Sequence, residues 1–127
     1  MSKTPVRTEA APAPFGGAPY NQAVTAGGFI FVSGQGGMSA SGELVEGGIA
    51  AETHRTFDNI AAILEAADAS LANIVKATVF LLDMGDFAAM NEVYRERMPA
   101  PFPARSTIQA AKLPGGFCVE IEVVATV

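Results

Sequence analysis

The last two strand-like segments of this 127-residue sequence carry the residue types best suited to acid–base chemistry. Side chains alternate along a strand, so Glu120 and Glu122 share one face. By the same rule Arg105, Thr107 and Gln109 share a face of the preceding segment. A guanidinium binds a carboxylate through two parallel hydrogen bonds, and a neighbouring carboxylate can position and deprotonate a water. Together these groups would form a hydrolytic site for a 2-oxo-acid-like or imino-acid-like ligand.

The register between the two segments decides whether the arginine and the carboxylates meet. A hairpin that pairs Lys112 with Phe117 would put Arg105 on the carboxylates' side, and a shift of one residue would move it to the other side. An alternative interpretation needs no ligand. In it, Arg105, Lys76 and the two glutamates form a solvated network of ion pairs worth about 1 kcal/mol or less each.

The hydrophobic pattern predicts an α+β domain in which these segments are the last two strands. β-Branched and aromatic residues concentrate in five segments, and apolar residues recur every three or four positions in two others. The predicted order is therefore β-β-α-β-α-β-β, with strands near 20–24, 29–35, 74–82, 105–111 and 117–124 and helices near 49–67 and 87–98. The almost wholly apolar run 74–82 predicts a strand inside the sheet.

The surroundings of the sheet can also be predicted. Two helices cover only one face, so we expect a second copy of the chain to cover the other. Residues 1–18, rich in Ala and Pro, are expected to form an N-terminal arm, and residues 19–127 a single domain. The first helix should expose a polar face made of Glu52, Arg55, Asp58, Asn59 and Glu65.

Composition narrows the class of protein. The formal charge is −5 and the eight basic residues are scattered, which argues against nucleic-acid binding. Cys118 is the only cysteine and His54 the only histidine, so neither an internal disulfide nor a zinc site is predicted. No apolar stretch has the length of a signal peptide core or a membrane span. We therefore expect a cytoplasmic protein.

Several short motifs, in order and at suitable spacing, resemble one known family. They are 19–24 (PYNQAV), 31–35 (FVSGQ), 74–81 (IVKATVFL), 86–91 (DFAAMN), 103–106 (PARS), 113–114 (LP) and 119–122 (VEIE). Over about residues 20–125 the chain resembles the Rid, or YjgF, family of reactive-intermediate deaminases. The resemblance implies a chorismate-mutase-like subunit with two helices on one face of a mixed sheet, in a homotrimer with sites between subunits. It also implies hydrolysis of imines and enamines, such as 2-iminopropanoate and 2-iminobutanoate, to 2-oxo acids and ammonia without metal or cofactor.

The resemblance assigns roles to individual positions. Arg105 matches the arginine that binds the substrate carboxylate, and Glu120 the glutamate that holds the attacking water. Tyr20 matches a tyrosine that lines the cleft from the neighbouring subunit. The remaining matches are Ser33 and Gly34 beside the reacting nitrogen and Asn91 near the cleft.

The chain departs from the family pattern at the expected site. Thr107 stands where deaminases commonly have cysteine, so we expect it to contact substrate through its amide and hydroxyl and the activity to be reduced or altered. Asn21 and the pair Gly36–Gly37 also differ from the usual residues, which affects the expected side chain of the substrate. Two other functions stay open: an endoribonuclease or translation inhibitor, and a trimer that binds 2-oxo acids without turnover.

Overall fold

A computed structural model describes residues 2–127 as a six-stranded mixed sheet with two α-helices. The strands are β1 (Thr4–Val6), β2 (Ala23–Ala26), β3 (Phe29–Gly36), β4 (Ile74–Leu81), β5 (Ala104–Gln109) and β6 (Val119–Thr126). The helices are α1 (Gly48–Ala66) and α2 (Phe87–Arg97). This architecture confirms the predicted α+β class, with one strand more than the sequence pattern predicted.

The order of strands across the sheet is β1-β2-β3-β6-β4-β5. Only β4 and β5 are parallel neighbours, and the other adjacent pairs are antiparallel. The apolar β4 therefore lies inside the sheet, between β6 and β5, as its composition predicts.

The predicted hairpin between the last two strands is wrong. β5 pairs in parallel with β4, with Arg105 beside Ala77, whereas β6 pairs with β3 and β4, with Glu120 beside Phe80. The physical reason is that β4 is apolar enough to occupy an interior position, and it separates β5 from β6. The turn before β6 is thus a connection across β4 and does not set the register of Arg105 against the glutamates.

Both helices pack on one face of the sheet, as the handedness of the crossovers predicts. Phe57 of α1 meets Tyr94 of α2 edge to face, with ring centroids 5.6 Å apart. Ala77 of β4 lies beneath the helices and is fully buried. The predicted polar face of α1 is only partly correct, because Glu52 and Asn59 are 3% and 0% exposed. Both make the long-range hydrogen bonds described below.

The opposite face of the sheet is open in the single chain. Phe29, Phe31 and Ile108 project from it and are between 42% and 50% exposed. Exposed aromatic and aliphatic surface of this kind commonly marks an interface. That a second copy of the chain covers this face stays a prediction.

The N-terminal segment contains the extra strand. β1 pairs antiparallel with β2, and Val6 and Ala11 are buried. The described part of the predicted arm is thus attached to the sheet edge by backbone hydrogen bonds. Among residues 2–127, no helix has the length and apolar character needed to cross a membrane.

Candidate active site

A first depression, which we call the acidic cleft, lies where β3 and β6 meet the N-terminal segment. Its volume is about 460 Å³. Four of the predicted residues line it, together with a second glutamate: Tyr20, Ser33, Gly34, Glu120 and Glu122. Phe15, Ala18 and Pro114 complete the lining. The resemblance implies that Tyr20 enters the cleft from a neighbouring subunit, whereas in the single chain Tyr20 lines the same depression as Glu120.

Glycine at position 34 leaves room for the Glu120 side chain to lie directly against the backbone. The register between β3 and β6 shifts between Val32 and Gln35, and this irregularity brings the Gly34 backbone towards Glu120. A Cβ added at Gly34 would lie 2.8 Å from Cδ of Glu120, well inside ordinary van der Waals contact. Gly34 therefore fixes where the carboxylate can sit.

The environment of Glu120 favours its protonated form. Burial raises the pKa of this carboxyl above its ordinary value, and the negative charge of Glu122 on the same strand face raises it further. A carboxyl with a raised pKa is a stronger base when ionised, and a larger fraction of it is protonated at a given pH and able to return a proton. Glu120 is thus suited to move a proton to and from a bound water.

The Tyr20 wall of the acidic cleft is held by backbone contacts. The Tyr20 hydroxyl accepts a hydrogen bond from the Phe15 amide at 2.6 Å. The Ser33 hydroxyl donates to the Asn21 carbonyl at 2.7 Å, so its proton is already engaged. The buried Gln22 accepts from the Thr8 amide and donates to the carbonyls of Thr8, Ala11 and Pro12. These bonds tie the N-terminal segment to the strand that begins after Tyr20.

Two buried polar residues of α1 support the cleft from behind. Asn59 donates to the carbonyls of Gly36 and Met38, which follow the cleft residues of β3. Glu52 accepts from the Cys118 amide at 2.8 Å, just before β6 begins. Because unpaired buried polar groups are costly, these bonds define the positions of both chain segments.

Cys118 has no site role in this arrangement. Hydrogen bonding to Glu52 raises the pKa of the Cys118 thiol to about 11, and burial and nearby negative charge act in the same direction. The thiolate, which is the reactive form, is therefore scarce at neutral pH. Among the described residues, no group of three or more His, Cys, Asp or Glu side chains is placed to hold a metal ion.

A second depression, which we call the arginine cleft, lies between α2 and β5. Its volume is about 270 Å³, and its lining consists of Asn91, Tyr94, Arg95, Phe102, Pro103 and Arg105. Arg105 pairs with Ala77 and Thr107 with Val79, both on the helix-covered face. Asn91 Oδ1 is buried without a hydrogen-bond partner among the described residues.

The two clefts lie on opposite faces of one sheet. Arg105 is on the helix-covered face of β5, whereas Glu120 is on the open face of β6, with β4 between the two strands. The expectation that Arg105 lies on the carboxylates' side is therefore wrong within one chain. A small ligand cannot touch both side chains of the same subunit.

Two aromatic residues of α2 contact Arg105, although their spacing in the sequence assigns them no role. Its guanidinium carbon lies 4.6 Å from the Tyr94 ring centroid and 5.6 Å from that of Phe87. Phe87 and Tyr94 are seven residues apart on α2, which is two helical turns. That spacing also suits an ordinary core face, so the sequence alone does not distinguish the two possibilities.

Comparison with known proteins gives a consistent classification. The family model described as Endoribonuclease L-PSP matches residues 8–127. The chain is 48% identical to the 2-iminobutanoate/2-iminopropanoate deaminase of Bos taurus, over 94% of this chain and 87% of that protein. It is 46% identical to the mitochondrial protein mmf2 of Schizosaccharomyces pombe, over 98% of both chains. The crystal structure of Escherichia coli TdcF with bound serine superposes with a TM-score of 0.89, at 36% identity and 98% coverage of both chains.

Fold, motifs and comparisons together define an α+β protein of the Rid type. The chain belongs to the Endoribonuclease L-PSP family, which is the Rid or YjgF family that its motifs resemble.

Proposed function

We propose that this protein hydrolyses reactive 2-imino and enamine acids to 2-oxo acids and ammonia. Substrates of this class include 2-iminopropanoate and 2-iminobutanoate. The observation that carries the proposal is the pair of complementary groups: an arginine with no acidic partner among residues 2–127, and a carboxyl whose pKa is raised. Close similarity to proteins named imine deaminases supports the same reaction.

In the proposed reaction, Arg105 binds the substrate carboxylate and Glu120 holds the attacking water. Glu120 takes a proton from the water as its oxygen bonds to the imine carbon. The C=N π electrons move to nitrogen, and Glu120 passes the proton it took from water to this nitrogen, which gives a neutral carbinolamine. Glu120 then takes the hydroxyl proton and passes it to the amino nitrogen as the C–O bond becomes the carbonyl. The C–N bond breaks, ammonia leaves, and Glu120 is ionised again. An enamine first tautomerises to the imine.

We propose further that the site forms between two copies of the chain. One copy contributes the arginine cleft and the other the acidic cleft, so that Tyr20 and Glu120 face Arg105 across an interface. The open sheet face, with Phe31 and Ile108 exposed, supplies apolar surface for such contacts. The family resemblance implies a homotrimer, which would contain three such sites, with every acidic cleft facing the arginine cleft of a neighbouring copy.

Four residues complete the proposed site. Ser33 and Gly34 border the water and the reacting nitrogen. Asn91 lines the arginine cleft with Arg105, and its Oδ1 has no hydrogen-bond partner among the described residues. Thr107 follows Arg105 on the same strand face and takes the position that is commonly cysteine in deaminases. We expect its hydroxyl to act as a donor there and to change the rate or the preferred substrate.

The test generates 2-iminopropanoate from alanine with an amino-acid oxidase and traps surviving imine with semicarbazide. Wild-type protein should suppress the trapped product, whereas Arg105→Ala and Glu120→Gln should fail to do so. Lys3→Ala is the control, because it removes an exposed positive charge on the N-terminal segment that lines neither cleft, and it should behave as wild type. Full activity in either site variant would contradict the assigned roles.

Two other functions have specific support. The description of the matching family model favours a ribonuclease, although the charge of −5 argues against RNA binding. The serine-bound structure of TdcF favours a binding protein in which Arg105 retains 2-oxo acids without turnover. RNA cleavage that survives Arg105→Ala would favour the first. Thermal stabilisation by 2-oxobutanoate with no imine hydrolysis would favour the second.

The compartment and the domain limits are also proposals. We propose a cytoplasmic protein in which residues 19–127 form the catalytic domain and residues 1–18 an arm that contributes Phe15 to the acidic cleft. One relative is named mitochondrial, so fluorescence imaging of a tagged full-length chain is the direct test of compartment.

A further inference from the structure

The Arg105 side chain is bounded by aromatic rings and meets no acid. Its guanidinium lies over the Tyr94 ring at 4.6 Å and near the Phe87 ring at 5.6 Å. Among residues 2–127, the only ion pair joins Arg97 to Asp58, so the Arg105 guanidinium has no acidic partner there. A positive charge that is stabilised by ring quadrupoles keeps its N–H groups available for a ligand.

A second arginine of the same region shows the opposite arrangement. Arg97 lies over the Phe57 ring at 5.7 Å, and its N–H groups bind Asp58 and His54. Its donors are therefore occupied in holding α1 to α2. Contact with an aromatic ring is common to both arginines, and the absence of an acidic partner distinguishes Arg105.

The Tyr94 ring is placed to support Arg105 from below. Tyr94 is 5% exposed, and its other side meets Phe57 edge to face, so the ring cannot turn away without disturbing the core. Its hydroxyl is buried and makes no hydrogen bond of good geometry among the described residues. Burial raises the pKa of Tyr94, whereas the charge and side chain of the neighbouring Arg105 lower it, so the hydroxyl also lies near the guanidinium. Variants that remove the ring or only the hydroxyl can therefore separate the two contributions.

We propose that Tyr94 and Phe87 are positioning residues, which hold the Arg105 guanidinium flat and unpaired so that it can bind a ligand carboxylate. This inference rests on the proposed carboxylate-binding role of Arg105. It adds a reason for α2 to carry aromatic residues two turns apart. It also predicts that the ring, and not the phenol hydroxyl, determines ligand affinity.

The test measures affinity for 2-oxobutanoate by calorimetry and KM for imine hydrolysis in full-length variants. Tyr94→Leu should weaken binding and raise KM by about threefold to thirtyfold, the range expected for loss of a cation–π contact. Tyr94→Phe should stay within about twofold of wild type, because it keeps the ring. Phe87→Leu should have a smaller effect than Tyr94→Leu, because its ring is farther from the charge.

Val93→Ala is the control for simple loss of stability. Val93 is a buried neighbour on α2 that makes no ring contact with Arg105, so its truncation should lower the melting temperature without changing KM. If Tyr94→Leu does not fold, the Phe87→Leu result decides. The inference would be overturned if Tyr94→Phe and Tyr94→Leu lost the same amount of affinity for 2-oxobutanoate. It would also be overturned if Tyr94→Leu and Phe87→Leu both kept full affinity while Arg105→Ala abolished binding. Unchanged binding in Arg105→Ala would instead refute the proposed function.

Discussion

The contact between Gly34 and Glu120 leads to the sharpest prediction, for the variant Gly34→Ala. The new methyl group would approach Cδ of Glu120 to 2.8 Å and Cγ to 3.1 Å. The obstructing group is the end of a flexible side chain, so the carboxyl can rotate away while the strand keeps its register. We therefore expect a folded protein in which the carboxylate is displaced.

The size of the displacement follows from packing distances. Ordinary carbon–carbon contact begins at about 3.4 Å, so Cδ must retreat by about 0.6 Å and the oxygens beyond it by about 1 Å. A misplacement of about 1 Å can lower a rate about a hundredfold when the group acts on a positioned reactant. We expect kcat for imine hydrolysis to fall by about that factor. KM should change little, because Arg105 is untouched.

A double-mutant cycle with Glu120→Gln isolates the mechanism. If Gly34→Ala acts by moving the carboxylate, it should have almost no further effect in the Glu120→Gln background. Circular dichroism and the melting temperature should report an intact fold for both variants. Equal losses in the two backgrounds, or full activity of Gly34→Ala, would refute this reasoning.

Three further predictions concern charge, stability and reactivity. Ionised Glu120 is the proposed base, so the rate of imine hydrolysis should fall as pH decreases through the raised pKa of Glu120. Glu122→Gln removes a negative neighbour and should move this acidic limb of the pH–rate profile to lower pH. An acidic limb that stays in place or moves to higher pH would contradict this prediction. Gln22→Leu should lower the free energy of unfolding by about 2–4 kcal/mol in denaturant titrations, whereas Gln109→Leu, which loses one exposed bond, should lower it by less than about 1 kcal/mol. Equal losses of unfolding free energy in the two variants would show that the Gln22 hydrogen bonds add no stability. Cys118 should react with iodoacetamide at pH 8 about a hundredfold more slowly than a thiol of pKa 9.0, and rapid labelling of the folded protein would disprove the role of Glu52.

Much of the fold could be predicted from local patterns. Helical periodicity identified α1 and α2, and the apolar run of β4 indicated an interior strand. The pairing of β5 could not be predicted from the same patterns. A short turn before Phe117 suits a hairpin, but the apolar β4 competes for the same neighbour, and that competition depends on the whole sheet.

Motifs select candidate site residues by their position along the chain and give no geometry. Glu120, Gly34 and Tyr20 line one depression, and their roles stay predictions. Buried Asn59 and Glu52 look like surface residues on a helical wheel, because their carbonyl and amide partners lie far along the chain. The lack of an acidic partner for Arg105 is likewise a property of three-dimensional neighbours, which residue spacing does not encode.

The separation of Arg105 and Glu120 on opposite faces has a chemical advantage. If the two were cross-strand neighbours, the guanidinium would hold the carboxylate as an ion pair and lower the pKa of Glu120. The pair would also occupy the N–H groups that a substrate carboxylate needs. With β4 between them, the chain keeps Arg105 unpaired and the pKa of Glu120 raised. In the proposed assembly, the two groups would act on one substrate only where two copies meet, with the substrate between them. The strand pairing that makes the hairpin prediction wrong therefore keeps Arg105 and Glu120 of one subunit from forming an ion pair. One subunit can then carry both the proposed carboxylate-binding guanidinium and the proposed acid–base carboxyl.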